Sequence, residues 1–373
     1  MSYRSAIPTL DEITARWVVT PRLTTRVLFS GPEDGEPVLF LHGNLSSATW
    51  WEETMLRLPR RYWGIAPDLR GFGEADLEAK VDATRGMGDF VADTVALLDH
   101  LQIERAHLVG NSLGGVIVYH LLAVHPQRWL SATLVGPGSP YGFGGTKDAK
   151  GTPCYPDYAG SGGGLFSPKL IARIQAHDRS TDHRFSPRNA LRDLVYKRPF
   201  IPPREEAILD ALFQVHIGEQ DLPGDIVPSP NWPYFSPGRW GATNALSPKY
   251  LLPVEQFLAV SPRVPILWIR GEDDVAISDR AASDPATFGK LGLIPGWPGR
   301  EVFPHQPMLR QTRAVLERYR KQGGMYREVV IQDCGHVAFI EKPREFNDAF
   351  HAHLQRGGGG SEYLGRSRHD AKL

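Results

Sequence analysis

Short, mostly apolar runs alternate along this chain with longer stretches whose apolar residues recur every three or four positions. The runs fall at 37–41, 62–67, 106–109, 131–135, 264–269 and 327–331. Strands buried on both faces of a sheet read this way, because neither face needs polar residues. Residues 16–29 instead alternate apolar and polar positions and predict one or two strands leading in. Helical spacing appears at 49–58, at 88–101 (Phe90, Val91, Val95, Leu97, Leu98, Leu101) and from Leu113 to Leu122. Strands alternating with helices of about 10–15 residues predict an α/β fold, a mostly parallel central sheet with helices on both faces.

The rhythm breaks at Gly136. From there to about Leu252 the chain is rich in Gly, Pro and aromatic residues, with helical spacing only at 168–176 and 204–215. This stretch is too long for a connection and too poor in strand patterns to extend the sheet, so it predicts an inserted, mainly helical and irregular cap. A further insertion at 281–307 precedes a helix at 308–322, and a last helix is expected at 346–354. The predicted organisation is therefore a core of residues 1–136 and 251–356, a cap at 137–250, and a flexible tail at 357–373 that opens with four glycines.

Composition narrows the partners. Lys+Arg and Asp+Glu both number 42, so no net field draws the chain to nucleic acid or an anionic membrane. Two cysteines, Cys154 and Cys334, provide neither a disulfide framework nor a zinc cluster. No metal or other cofactor is expected, since the glycines at 160–164 lack the Lys-Ser/Thr of a phosphate loop. The N-terminus lacks the apolar core of a secretory signal, and no apolar stretch approaches the ~18 residues of a membrane span. The expectation is a soluble intracellular protein acting on a small molecule, with oligomeric state open. The terminal Ala371-Lys372-Leu373 resembles a peroxisomal address, which would apply in a eukaryotic source.

Gly110-Asn111-Ser112-Leu113-Gly114 stands between the strand at 106–109 and the helix from Leu113. A strand that stops at a serine and turns at once into a helix exposes the hydroxyl at the sheet edge, with glycines where the chain crosses its neighbours. Serine needs a base to take its proton during attack, and the base needs a third group to orient it. His336 follows the last strand on a loop at the same sheet edge, with His305 as the competitor. Gly271-Glu272-Asp273-Asp274 follows the penultimate strand and offers two carboxylates.

The order His42-Gly43, Asp68-x-Arg70-Gly71-x-Gly73, Gly110-x-Ser112-x-Gly114, Gly271-x-x-Asp274, Gly335-His336 resembles the α/β-hydrolase superfamily over residues 25–135 and 262–355. The resemblance implies a triad of Ser112, Asp274 and His336, with Asp273 the alternative acid. It also implies an oxyanion hole from the backbone N–H groups of Asn44 and Leu113. His42-Gly43-Asn44 is also similar to the haloalkane dehalogenases, but those carry aspartate at the elbow, and Ser112 points to acyl transfer instead. Asp68 to Gly73 reads as a loop-shaping segment beside the site, and Cys334 as a small buried residue. Trp232, Trp240 and Tyr141 are candidate substrate contacts in the cap, and Trp50 and Trp51 read as core or pocket wall. The expected activity is cleavage of a carboxylic ester or lactone. The alternatives are acyl-CoA thioester or carbon–carbon bond hydrolysis, or a ligand-binding receptor on the same fold.

Overall fold

The apolar runs form the centre of an eight-stranded sheet in a computed structural model that describes residues 7–357. Its strands are β1 (Thr14–Val19), β2 (Thr24–Ser30), β3 (Glu36–Leu41), β4 (Tyr62–Pro67), β5 (Ala106–Asn111), β6 (Trp129–Val135), β7 (Ile266–Gly271) and β8 (Tyr326–Ile331). Their spatial order is β1-β2-β4-β3-β5-β6-β7-β8. β1 pairs antiparallel with β2, and β2 with β4; every other pairing is parallel. β4 and β5 are buried along their whole length, whereas edge strand β1 keeps the alternating exposure its sequence predicts.

Helices α1 (Gly88–His100) and α2 (Leu113–Val124) form where the spacing predicts. Residues 49–58 do not make one regular helix: a 3₁₀ turn at Ala48–Trp51 runs into the short helix Glu52–Leu56. Between β6 and β7 lie α3 (Pro168–Gln175), α4 (Pro187–Leu194) and α5 (Glu205–Phe213). Two small ladders also occur there, Ile217–Gly218 with Leu222–Pro223 and Ile226–Pro228 with Phe235–Pro237, neither joined to the main sheet. α3 and α5 match the expected helices, but α4 has no counterpart in the apolar pattern. After β7 come α6 (Met308–Lys321), then β8, then α7 (Pro343–Gly357).

Gly357, expected to open the tail, is instead the last residue of α7. A Cβ there would lie 2.8 Å from Cβ of Ser131, so the helix end packs tightly on β6. The rest of the expected tail, including Ala371-Lys372-Leu373, lies outside the described residues. Among the described residues, no helix is long and apolar enough to cross a membrane.

Register decides what the sheet can hold. Leu41 aligns with Gly110, Asn111 with Val135, and Gly271 with Ile331. The loops after β3, β5, β7 and β8 therefore emerge side by side at the carboxyl edge of the parallel strands, where ligands bind in open α/β sheets. His42, Ser112, Asp274 and His336 all sit on these loops.

Candidate active site

Ser112 occupies a conformation that only the surrounding packing can hold. Its φ of 54° and ψ of −111° put a non-glycine residue in a strained region, directly before the first residue of α2. The turn needs glycine at its crossings. A Cβ on Gly114 would meet the Leu41 carbonyl oxygen at 2.2 Å, and one on Gly110 would meet the Gly114 oxygen at 2.3 Å. The strain sets the serine at the carboxyl edge of β5, half-buried, at the floor of a cavity of about 420 Å³.

His336 lines the same cavity. Its Nδ1 lies 2.8 Å from Oδ2 of Asp274, and both residues are buried. The other oxygen, Oδ1, accepts the backbone N–H groups of Ala276 (2.8 Å) and Ile277 (2.9 Å), so the carboxylate is fixed at both ends. The alternative acid Asp273 instead meets Lys197, with Nζ 2.7 Å from Oδ2. His305 is turned to Thr287, with Nε2 3.1 Å from its Oγ1. No direct hydrogen bond joins Ser112 to His336, an arrangement common in ligand-free sites, where such bonds tighten with substrate.

Burial alone would lower the basicity of His336, but the charge of Asp274, its hydrogen bond and the charge of Glu341 outweigh that, so the pKa is raised above 6.5. A base must be neutral to take a proton, so protonation below that raised pKa removes it. The activity of the site, as kcat/KM on an ester, is expected to climb with pH through a midpoint above 6.5. In Asp274→Asn the carboxylate's charge is gone, and the midpoint should move down. A wild-type midpoint below 6.5, or one unmoved in the variant, would contradict this electrostatic account.

The loop expected to supply the Asn44 donor is held from behind. Gly43 O accepts from His42 Nδ1 at 2.8 Å and from Ser46 Oγ at 3.0 Å. His42 Nε2 accepts the Leu69 N–H at 3.0 Å, which assigns the ring proton to Nδ1. Burial pushes the pKa of His42 down to about 4, so it stays neutral and keeps this role. The Gly43 carbonyl and the Asn44 N–H share one planar trans peptide, so anchoring the carbonyl on one side aims the N–H to the other. Asn44 and Leu113 both line the cavity, and neither backbone N–H donates elsewhere among the described residues. A Cβ on Gly43 would meet Asn111 Oδ1 at 2.9 Å and Ser112 Cβ at 3.1 Å, so only glycine lets this loop lie against the elbow.

Asp68 shapes the loop beside the site, as its motif predicts, accepting the N–H groups of Ala48 (2.8 Å) and Glu74 (2.9 Å). Arg70 is committed to Asp93 through two contacts of 2.7 Å. Cys334 is fully buried and burial pushes its thiol pKa up, so it is not a reactive group.

The expected aromatic contacts lie elsewhere. Trp232 is buried in a satellite cluster with Phe303, its indole N–H donating to Pro295 O at 3.0 Å. Trp240 carries Arg239 stacked on its ring and bridges to Asp82. Tyr141 packs against Gly151, where a Cβ would meet its ring at 2.3 Å. None of the three lines the cavity. Its aromatic walls are Trp50, Phe143, Phe166, Phe185 and Phe288, with aliphatic residues from α4 (Leu191, Leu194) and α5 (Leu212) between them. Trp51, by contrast, is core, stacked on Phe339 with ring centroids 4.0 Å apart. Two contributions were invisible in the sequence: the whole of α4, and Ala282, Ser283 and Phe288 from the insertion at 281–307.

The segment after α4 is tied to the histidine loop. The His336 N–H donates to Val195 O at 2.8 Å, and the Lys197 N–H to Glu341 Oε2 at 2.9 Å. Glu341 also accepts the Gly335 N–H, at 3.0 Å. Val195 lines the cavity, so the wall and the proposed base share one backbone clasp.

Comparison with known proteins gives the same class. Residues 36–152 match a family model described as the alpha/beta hydrolase fold, a span that includes His42 and Ser112. An uncharacterized carboxylesterase of Bacillus subtilis (strain 168) is 33% identical over 117 residues, 31% of this chain and 38% of its own length. A 2-hydroxymuconate semialdehyde hydrolase of Pseudomonas sp. (strain CF600) is 36% identical over 126 residues, 32% of this chain and 42% of its own length. The chain thus spans about two fifths of the length of these curated relatives. Among solved structures, carboxylesterase CesB from Bacillus subtilis superposes with a TM-score of 0.55 at 19% identity, covering 93% of both chains. The 2-hydroxy-6-oxo-6-phenylhexa-2,4-dienoate hydrolase of Rhodococcus sp. strain RHA1 gives 0.56 at 19%, covering 92% of this chain and 99% of that one. Sheet order and family match agree on an α/β-hydrolase fold, the family model covering residues 36–152. Hydrolases, carboxylesterases among them, are among the proteins it is similar to, and so is a dihydrolipoyllysine-residue acetyltransferase component from Pseudomonas putida.

Proposed function

We propose that this protein hydrolyses carboxylic esters or lactones through an acyl-enzyme on Ser112, beneath a cap formed by residues 137–250. The observation that carries the reading is His336, held by buried Asp274, lining one cavity with a strained, half-buried serine and two unused N–H groups. Ser112 Oγ attacks the acyl carbon as His336 takes its proton, and the carbonyl oxygen gains the negative charge. The N–H groups of Asn44 and Leu113 stabilise that charge, each worth about 2.7–4 kcal/mol by the usual loss on removal. Collapse expels the alcohol, which leaves with the proton from His336, and water then repeats the sequence in reverse to free the acid. Asp274 holds the ring with its proton on Nδ1 throughout.

The walls of the cavity favour an apolar substrate, and Phe143, Phe166, Leu191 and Leu212, all from 137–250, support the cap reading. On 4-nitrophenyl esters, kcat/KM is expected to rise roughly fourfold per added methylene until the pocket fills, from about 0.8 kcal/mol per buried CH₂. A flat chain-length series, or a single burst without sustained turnover, would contradict the reading. The second outcome would describe a receptor that is acylated once. Carbon–carbon bond hydrolysis is the second reading, favoured by the 2-hydroxymuconate semialdehyde hydrolase relative. It predicts turnover of a vinylogous 1,5-diketone where esters are turned over slowly.

A further inference from the structure

Almost every cation on the cap helices is neutralised. Arg173 meets Asp178, Arg179 meets Glu206 and Asp210, and Arg188 and Arg192 converge on Glu205. Arg198, just after α4, meets Asp193. Lys169 and Arg184 have no carboxylate partner among the described residues, and both pack on the same ring. The Arg184 guanidinium lies 4.6 Å from the centroid of Phe185, and Lys169 Nζ lies 6.0 Å from it. Phe185 and Arg184 line the cavity, and Lys169, which does not line it, packs on the same ring. Of the nearby carboxylates, Asp178 and Asp193 are held by Arg173 and Arg198, and Asp182 forms no ion pair with either cation. Ser167 and Pro187, at the starts of α3 and α4, lie on the same lip, and neither helix has an acidic residue in its first turn.

From this juxtaposition we infer that the lip around Phe185 is an anion subsite, so the substrate is amphipathic: an apolar body and, remote from the scissile carbonyl, a carboxylate or phosphate held by Arg184 and Lys169. The inference rests on the acyl-hydrolase reading for the chemistry, but not for the binding. A guanidinium stacked on an aromatic ring still presents its N–H edge to an oxyanion in fork geometry. Unpaired cations beside a largely apolar pocket, whose one lining carboxylate, Asp193, is held by Arg198, favour an anionic over a neutral ligand of the same length. The contact is exposed to solvent, so its worth is that of one screened, charge-assisted pair, roughly tenfold in affinity.

The test uses binding to Ser112→Ala, which separates recognition from chemistry. Octanoate, octyl phosphate and 1-octanol are compared by calorimetry at low and high salt. One of the anions should bind roughly tenfold tighter than the alcohol, and which one does so identifies the anion. In Ser112→Ala carrying Lys169→Gln and Arg184→Gln, the ratio of anion to alcohol affinity should fall to about one. In the parent it should shrink as salt is raised. Equal affinities in the parent would overturn the inference. So would a preference that survives the double substitution, which would place the anion at the Asn44 and Leu113 donors instead. Absence of ester turnover by wild-type protein would sink the hydrolase reading while leaving this result standing.

Discussion

Ser112→Ala and His336→Ala are each expected to lower kcat on an ester by about a millionfold, and the double variant by no more than either alone. Non-additivity is the informative part. If the serine and the histidine act as one unit, removing the second after the first has nothing left to remove. The Ser112 side chain makes no hydrogen bond among the described residues, and its turn is held by backbone contacts such as its N–H to Val135 O at 3.1 Å. Alanine there should fold normally, with KM little changed. Additive losses, or a kcat reduced only a few fold, would mean that the nucleophile lies elsewhere.

Asp274→Asn should cost about 10⁴-fold in kcat, while Asp273→Asn should cost almost nothing. The two aspartates are adjacent in sequence and differ in surroundings. Asp274 is buried, accepts two backbone N–H groups through one oxygen and meets His336 through the other. An asparagine offers an N–H where Nδ1 must donate, so it favours the wrong ring tautomer. Asp273 is half-exposed and touches Lys197, and surface pairs of this kind contribute about 0–1 kcal/mol. Measuring kcat and melting temperature on both variants separates the roles. A large loss in Asp273→Asn with Asp274→Asn active would reverse the assignment.

The parts of the molecule legible in its sequence are those in which local pattern and burial coincide. β3 to β7 are covered on both faces, so their apolar runs leave little ambiguity. The elbow is legible because its glycines stand at fixed spacing from the serine, even though the contact that forces Gly114 comes from Leu41, distant in the chain. Helix α4 was not legible: only Pro187 and Leu191 of its residues are buried, and half of its positions (Arg188, Asn189, Arg192, Asp193) are polar. The available signal was Ser186-Pro187, a capping serine before proline at the first helical position; Ser186 Oγ does accept the Asn189 N–H at 3.2 Å. The cap aromatics failed for a different reason. Trp232 finds its partners in Pro295 and Phe303, far along the chain, and no local pattern reveals such a pairing. Trp232, Trp240 and Tyr141 stand apart from the cavity, which is walled by Trp50 and by phenylalanines on segments that fold over the serine. His42 was legible as part of a motif but not as the brace of the oxyanion loop, which depends on Leu69.

A second serine–histidine–acid array sharpens the choice of experiment. Ser131 Oγ lies 2.7 Å from His107 Nδ1, and His107 Nε2 lies 2.5 Å from Glu36 Oε1. It sits toward the amino ends of β3, β5 and β6, away from the cavity, with Ser131 and His107 fully buried. Hydrogen-bond geometry alone would favour this array; burial and sheet edge favour Ser112. Treating the purified protein with a fluorophosphonate, then reading intact mass and the labelled peptide, decides between them. The account predicts one adduct, on Ser112, absent from Ser112→Ala. An adduct on Ser131 or elsewhere, or none on the folded protein, would contradict it.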